Sequence, residues 1–116
     1  EGSEIMFLPK QEIFEKLKET GVAVSLSGQN IFKKLPALTF RIDDNSPQYG
    51  LKGEISAQEI IATVDIWASS SKEASKLLSE IEKKMREIGY YLEFSSDVPN
   101  PDSSIFHINN RFNSKK

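Results

Sequence analysis

The 116-residue chain contains no cysteine, which excludes disulfides, thiolate nucleophiles and zinc–thiolate sites and is consistent with a reducing compartment. It has a single histidine, His107, and a single tryptophan, Trp67. Neither charge sign dominates: 15 Lys and Arg stand against 17 Asp and Glu, for a net charge of −2. Such a balance provides no general field to draw nucleic acid or an anionic membrane. No apolar run is long enough to span a bilayer. The N-terminus lacks a basic region followed by an apolar core, so no signal peptide is expected. A glycine-rich phosphate loop, a G-x-S-x-G elbow and an H-E-x-x-H helix are all missing. Aromatic residues do not interleave with basic ones as on a single-strand binding platform. The expectation is a protein that is not an enzyme and uses no cofactor and no metal.

What the chain does contain is one strongly patterned stretch, Glu59 to Gly89, reading EIIATVDIWASSSKEASKLLSEIEKKMREIG. From Ile60 to Trp67, Ile60, Ala62, Val64 and Ile66 alternate with Ile61, Thr63, Asp65 and Trp67, the period of a strand with one wholly apolar face. Ser70 followed by Glu73 is a capping-box pattern. Ala74, Leu77, Leu78, Ile81, Met85 and Ile88 then form the stripe of an amphipathic helix. Glu80–Lys84 and Glu82–Arg86 stand in the favourable i,i+4 order. Gly89 sits where a left-handed residue ends a helix, for about 18 residues and about 27 Å in all. A narrow stripe flanked by both charge signs and tied to a strand predicts core packing rather than a membrane-surface or partner-binding helix.

The remaining elements are shorter. Pro9 to Thr20 predicts a helix with Ile13, Phe14 and Leu17 inward and Gly21 as its stop. Val22, Val24 and Leu26 alternate as a strand, and Gly28, Gln29 and Asn30 read as a turn. Within Ile31 to Asp43, Leu38, Phe40 and Ile42 share a strand face, and Pro36 must lie at the strand's start or on an edge. The Lys33–Lys34 pair before it could meet phosphate but more often solvates a turn. Tyr90, Leu92 and Phe94 alternate with Tyr91 and Glu93 in another strand. Ile105 to Phe112 predicts a closing strand, with Phe106, Ile108, Asn110 and Phe112 on one face and His107, Asn109 and Arg111 on the other.

Two polar stretches are expected as loops, Asp43 to Glu54 and Ser95 to Ser104. In the first, Asp43, Asp44, Asn45 and Ser46 supply oxygens, but the spacing is not that of a calcium loop and matches common turn chemistry. It reads either as a mobile hairpin loop or as a contact loop with Tyr49 and Leu51 as apolar anchors beside Lys52 and Glu54. In the second, Asp97 and Asp102 mark the loop. Asp43 and Asp65 could be imagined as paired carboxylates, although nothing in the sequence sets their separation. His107 has no evident nucleophile or carboxylate partner, so catalysis there is not expected. A ligand pocket around His107 and Arg111 is the alternative to an interaction protein.

The order of elements predicts an α+β fold: a two-layer domain with a mostly antiparallel sheet of about 4–5 strands and two helices packed on it. One domain is expected over residues 1–116. Residues 1–5, ahead of Met6, are expected to be an expression remnant or disordered, and 113–116 a frayed tail.

Within that order, the strand ending VDIW, the polar SSS turn and the helix KEASKLLSEIEKKMREIGY resemble the tail-completion, or tail-terminator, proteins of long-tailed bacteriophages and prophages. The proline-led LPALTFRI and the closing SSDVPNPDSSIFHINNRF are also similar to that family, so the resemblance covers Leu35 to Phe112. It implies structural work in the virion, with the host cytoplasm as the place of assembly. Such proteins form a ring, commonly a hexamer, on the head-proximal end of the tail tube. Their partners are the tail tube protein and the head connector or head-closure protein. Another neck component, a head-closure or minor tail protein, is the neighbouring reading. Asp43, Asp44, Tyr49, Leu51, Lys52, Glu54, Asp97 and Asp102 are the candidate assembly contacts.

Overall fold

A computed structural model describes residues 8–28 and 34–115. The expectations for residues 1–5, Met6, Gln29, Asn30, Ile31, Lys33 and Lys116 lie outside the described residues. The elements run α1 (Pro9–Lys18), β1 (Ala23–Leu26), β2 (Ala37–Tyr49), β3 (Ile55–Ala68), α2 (Ser71–Glu87), β4 (Tyr91–Val98) and β5 (Phe106–Lys115). They build a five-stranded sheet in the order β1-β2-β3-β5-β4. β1 runs parallel to β2, and every other pairing is antiparallel. The fold is α+β, as expected.

β3 is the centre of the sheet because its alternation satisfies two layers at once. Ile60, Ala62, Val64 and Ile66 are fully buried and join Leu38, Phe40 and Phe112 under both helices. Ile13 and Leu17 of α1 and Ala74, Leu77, Ile81 and Met85 of α2 close this core. Burying a side chain such as Ile66 is worth about 1.5–3 kcal/mol, so this one strand face carries much of the stabilisation. The opposite face of β3 carries Thr63, Asp65 and Trp67 and is not covered by a described helix.

α2 starts and stops as its sequence dictates. The Ser70 hydroxyl accepts from the Glu73 amide at 3.1 Å, a cap worth about 1 kcal/mol. The Glu73 carboxylate reaches back one residue further than a capping box requires, accepting from the Ser69 amide at 3.1 Å. At the other end Gly89 adopts φ 86°, a conformation costly for any residue with a Cβ. It lets the Gly89 amide bond Arg86 O at 3.0 Å and the Tyr90 amide bond Met85 O at 2.9 Å, the paired bonds of a Schellman stop.

Four expectations are corrected. The stretch from Asp43 to Glu54 is not a loop but mostly strand: β2 runs to Tyr49 and pairs with β3 down to Ile55. Turn-forming residues are tolerated there because β1 pairs only with Ala37–Phe40, which leaves the outer edge of β2 at Pro47 without a described partner strand. Likewise Ser95 to Val98 belongs to β4, paired with Asn110 to His107. Phe94 does not share a face with Leu92. A bulge at Glu93 sets Leu92 opposite Phe112 but Phe94 opposite Arg111, and the extra residue reverses the alternation. Finally, the chain from Asn113 to Lys115 is not frayed, since it pairs with Ile61 to Glu59 of β3.

The two helices are joined by ion pairs, Lys16 Nζ to Glu87 at 2.9 Å and Lys84 Nζ to Glu19 at 3.1 Å. The Lys16 hydrogen bond holds the Glu87 carboxyl below its usual range, and the Lys84 hydrogen bond does the same for Glu19. A depressed carboxylate contributes stability fully above the unfolded pKa of about 4.3 and loses it as pH falls through the folded value. Lys16→Met is therefore expected to lower stability in urea titrations at pH 7 in low salt. The difference from wild type should shrink as the pH drops below the carboxylate range, or as salt screens the exposed pair. A difference independent of both would contradict this account.

Candidate assembly surfaces

The helix-free face of the sheet carries a polar network that the strand register assembles. Trp67 lies opposite His107 and Asp65 opposite Asn109. Asp65, only 5% exposed, has His107 Nε2 at 2.8 Å from Oδ1 and accepts from Asn109 Nδ2 at 2.8 Å. Arg41 approaches its other oxygen at 3.9 Å and donates from Nε to Asp43 at 2.7 Å. Asp43 also accepts the Thr63 hydroxyl. Trp67 stacks on the His107 ring, with centroids 3.7 Å apart and an interplanar angle of 15°, and its indole N–H donates to Thr39 at 3.1 Å. At the outer side Arg111 pairs with Glu93 at 3.2 Å, and Asn113 donates to the same carboxylate at 2.6 Å.

A buried carboxylate needs partners, and Asp65 has two side chains within hydrogen-bond distance of Oδ1 and a guanidinium 3.9 Å from Oδ2. His107 is engaged in the network and also lines a groove beside Asp97, a groove that Arg111, paired with Glu93, does not line, and among the described residues no group of three His, Asp or Glu is placed to hold a metal. Asp43 and Asp65 do face the same cation, Arg41, which ties them together as ion-pair partners. The sequence places Thr63, Asp65 and Trp67 of β3 and His107, Asn109 and Arg111 of β5 on the correct strand faces, but does not show the network they form. The missing information was the pairing of β3 with β5, which no local pattern contains.

A second surface is the arm formed where β2 and β3 outrun their neighbours. β5 pairs with β3 only as far as Glu59, so the ribbon from Ser46 to Gln58 projects as two strands. It gives the molecule its elongated extents of 54 × 24 × 23 Å. Gln58 donates to Asn45 at 2.6 Å and Ser56 to Gln48 O at 3.0 Å. The turn closes with the Gly50 amide on Glu54 O at 2.7 Å and the Gly53 amide on Gly50 O at 3.1 Å. Gly53 has φ 83°, which only glycine adopts without strain. At this tip Leu51 is fully exposed and Tyr49 is 64% exposed.

The candidate contact residues therefore fall into three places. Tyr49, Leu51 and Lys52 stand outward at the tip, while Glu54 folds its carboxylate back over Gly50. Asp43 and Asp44 sit at a bulge in the body, where the register shifts between Ile42 and Asp44, and Asp44 accepts from Ser46 at 2.6 Å. Asp97 and Asp102 lie at the opposite end of β3, since Ala68 there pairs with Phe106. With about 3.3 Å per residue, the 14 residues of β3 separate the two ends by about 45 Å. Asp102 is held below its usual range by bonds from the Ser104 hydroxyl, at 2.6 Å, and amide, at 2.9 Å. Beside this loop a groove of about 420 Å³ opens against the first turn of α2, lined in part by Ala74, Pro99 and Phe106. No described helix is long and apolar enough to cross a membrane.

No protein-family profile and no curated protein matches the sequence. Among solved structures, a chain from the "Virion of native gene transfer agent (GTA) particle" matches over 89% of this chain and 90% of that chain, with a TM-score of 0.66 and 9% identity. The two share a fold. At that identity the likeness is one of architecture, and it extends over nearly the whole of both chains.

Removing Asp65 leaves several donors without their acceptor, so Asp65→Ala is expected to cost about 1–3 kcal/mol. Urea unfolding followed by the fluorescence of Trp67, the one tryptophan, reads both the stability and the stacked ring. A change within about 0.5 kcal/mol, the range of ordinary surface substitutions, would mean the network does not hold the face.

Proposed function

We propose that this chain is a structural protein of a tailed, phage-like particle, and specifically that it completes the tail by forming a ring on the head-proximal end of the tube. The observation that carries the reading is the shared fold with a chain of a gene transfer agent virion over about nine-tenths of each chain. The resemblance of VDIW and the capped helix to tail-completion proteins supports the finer assignment. In this reading the chain does no catalysis and needs no cofactor. It stops polymerisation of the tail tube protein and presents a surface to the head connector or head-closure protein.

The geometry suits the task. A ring subunit needs two different patches for its neighbours, because contacts between unlike patches close into a ring when the rotation permits. It needs further surfaces for the tube on one side and the head on the other. An arm at one end of β3, a loop and groove at the other, and a polar sheet face between them supply three separate surfaces toward these contacts.

Mixing the purified chain with assembled tail tubes and imaging by negative-stain electron microscopy tests the reading. The expected result is density on one tube end and no further extension on addition of tube subunits. Tyr49→Ser with Leu51→Ser should keep unfolding stability within about 0.5 kcal/mol of wild type, since both side chains are exposed, and should weaken capping. Decoration along the tube would favour another neck or tail component. No binding to any part of the particle would overturn the proposal.

A further inference from the structure

We propose that Asp65, His107 and Trp67 form a proton-operated switch: a proton taken up at His107 Nδ1 turns the Asp65 contact into an ion pair and releases Arg41 from Asp65. The switch belongs to the helix-free sheet face and does not depend on the tail-end reading.

The acceptor fixes where the proton lands. A carboxylate only accepts hydrogen bonds, and His107 Nε2 lies 2.8 Å from Asp65 Oδ1. A neutral His107 therefore carries its hydrogen on Nε2 and keeps its lone pair on Nδ1. Among the described residues no other hydrogen bond reaches the ring. The side chain is 12% exposed and borders the groove beside Asp97, which gives water access to it.

The surroundings suit an imidazolium. Asp65 is buried and held in place by Asn109 Nδ2 at 2.8 Å. Trp67 lies against the ring, with centroids 3.7 Å apart, and presents the negative face of its indole to a cation. On β4, Val98 lies opposite His107, while Asp97 pairs with Ile108 on the other sheet face. Glu93 of β4 is taken by Arg111 at 3.2 Å. The first turn of α2 adds Ser71, Ala74 and Ser75 to the groove, none of which titrates.

Arg41 is the part that responds. Its Nη1 stands 3.9 Å from Asp65 Oδ2, beyond hydrogen-bond reach, and its side chain is half exposed. Its Nε donates to Asp43 at 2.7 Å. With His107 neutral, Arg41 is the cation that balances Asp65. With His107 charged, the imidazolium stands at 2.8 Å against 3.9 Å for Arg41 and takes over the carboxylate. Arg41 then stays with Asp43 alone. The face carries Arg41 and Arg111 against Asp43, Asp65 and Glu93, an excess of one negative charge. The proton removes that excess and leaves a forked guanidinium to meet a carboxylate on a partner.

His107 is the only histidine and Trp67 the only tryptophan, so each reports without interference. The full chain is titrated between about pH 8 and pH 5, the imidazole range. That range stays above the one in which Glu19 and Glu87 lose their charge. Nitrogen magnetic resonance should show Nε2 protonated throughout and Nδ1 shifting strongly as the pH falls. Quenching of Trp67 fluorescence and a shift of the Arg41 Nε–H signal should follow with the same midpoint. In His107→Gln, with its fold checked by circular dichroism, both responses should be lost. Should that variant not fold, the wild-type titration decides alone. A hydrogen on Nδ1 with Nε2 bare at the alkaline end, or an Arg41 signal that does not move with His107, would overturn the proposal. So would a Trp67 or Arg41 titration that survives in folded His107→Gln.

Discussion

Everything in this fold depends on the pairing of β3 with its two antiparallel neighbours. One face of that strand supplies Ile60, Ala62, Val64 and Ile66 to a core closed by both helices. The other face supplies Thr63, Asp65 and Trp67 to a polar network completed by Arg41 on β2 and His107 and Asn109 on β5. The strand's early residues, which β5 does not reach, pair with β2 alone and become the arm. A slip of one residue would put Asp65 in the core and Ile66 on the open face. The two faces therefore enforce the same register by opposite means, one by excluding water and the other by satisfying a buried carboxylate.

That double constraint explains the shape. Burial under the helices ends near Ile60, and with it the need for strictly alternating apolar residues. Beyond that point the ribbon persists on backbone pairing, helped by Gln58 to Asn45 and Ser56 to Gln48. A two-stranded ribbon is marginal on its own, so the arm is held by continuity with the sheet. Its exposed Tyr49 and Leu51 contribute nothing to this chain's own core.

Much of this was legible in the sequence, and the parts that were not share a cause. The core face of β3, the Ser70 cap, the stripe of α2 and the Gly89 stop are local patterns, each readable within a few residues. So was the α+β class, because the order of elements restricts the ways to bury their apolar faces. Asn45, Ser46, Pro47 and Gln48 favour turns and so read locally as a loop, whereas the partner strand and the free outer edge of β2 make them a strand. The alternation alone places Phe94 with Leu92, because a bulge at Glu93 leaves no mark on it. The Asp65–His107 contact required knowing that β5, not β4, lies beside β3. Strand order and register are long-range facts, and local periodicity does not encode them.

The likeness to a virion chain is one of fold, over 89% of this chain at 9% identity. The central claim is that this scaffold works at the joint between tail and head. The most direct measurement is cryo-electron microscopy of intact tailed particles in which this chain carries a small affinity tag labelled with gold. The account predicts label in a single ring at the top of the tube, beneath the head. Label distributed along the tube, or particles of normal form without label, would contradict it.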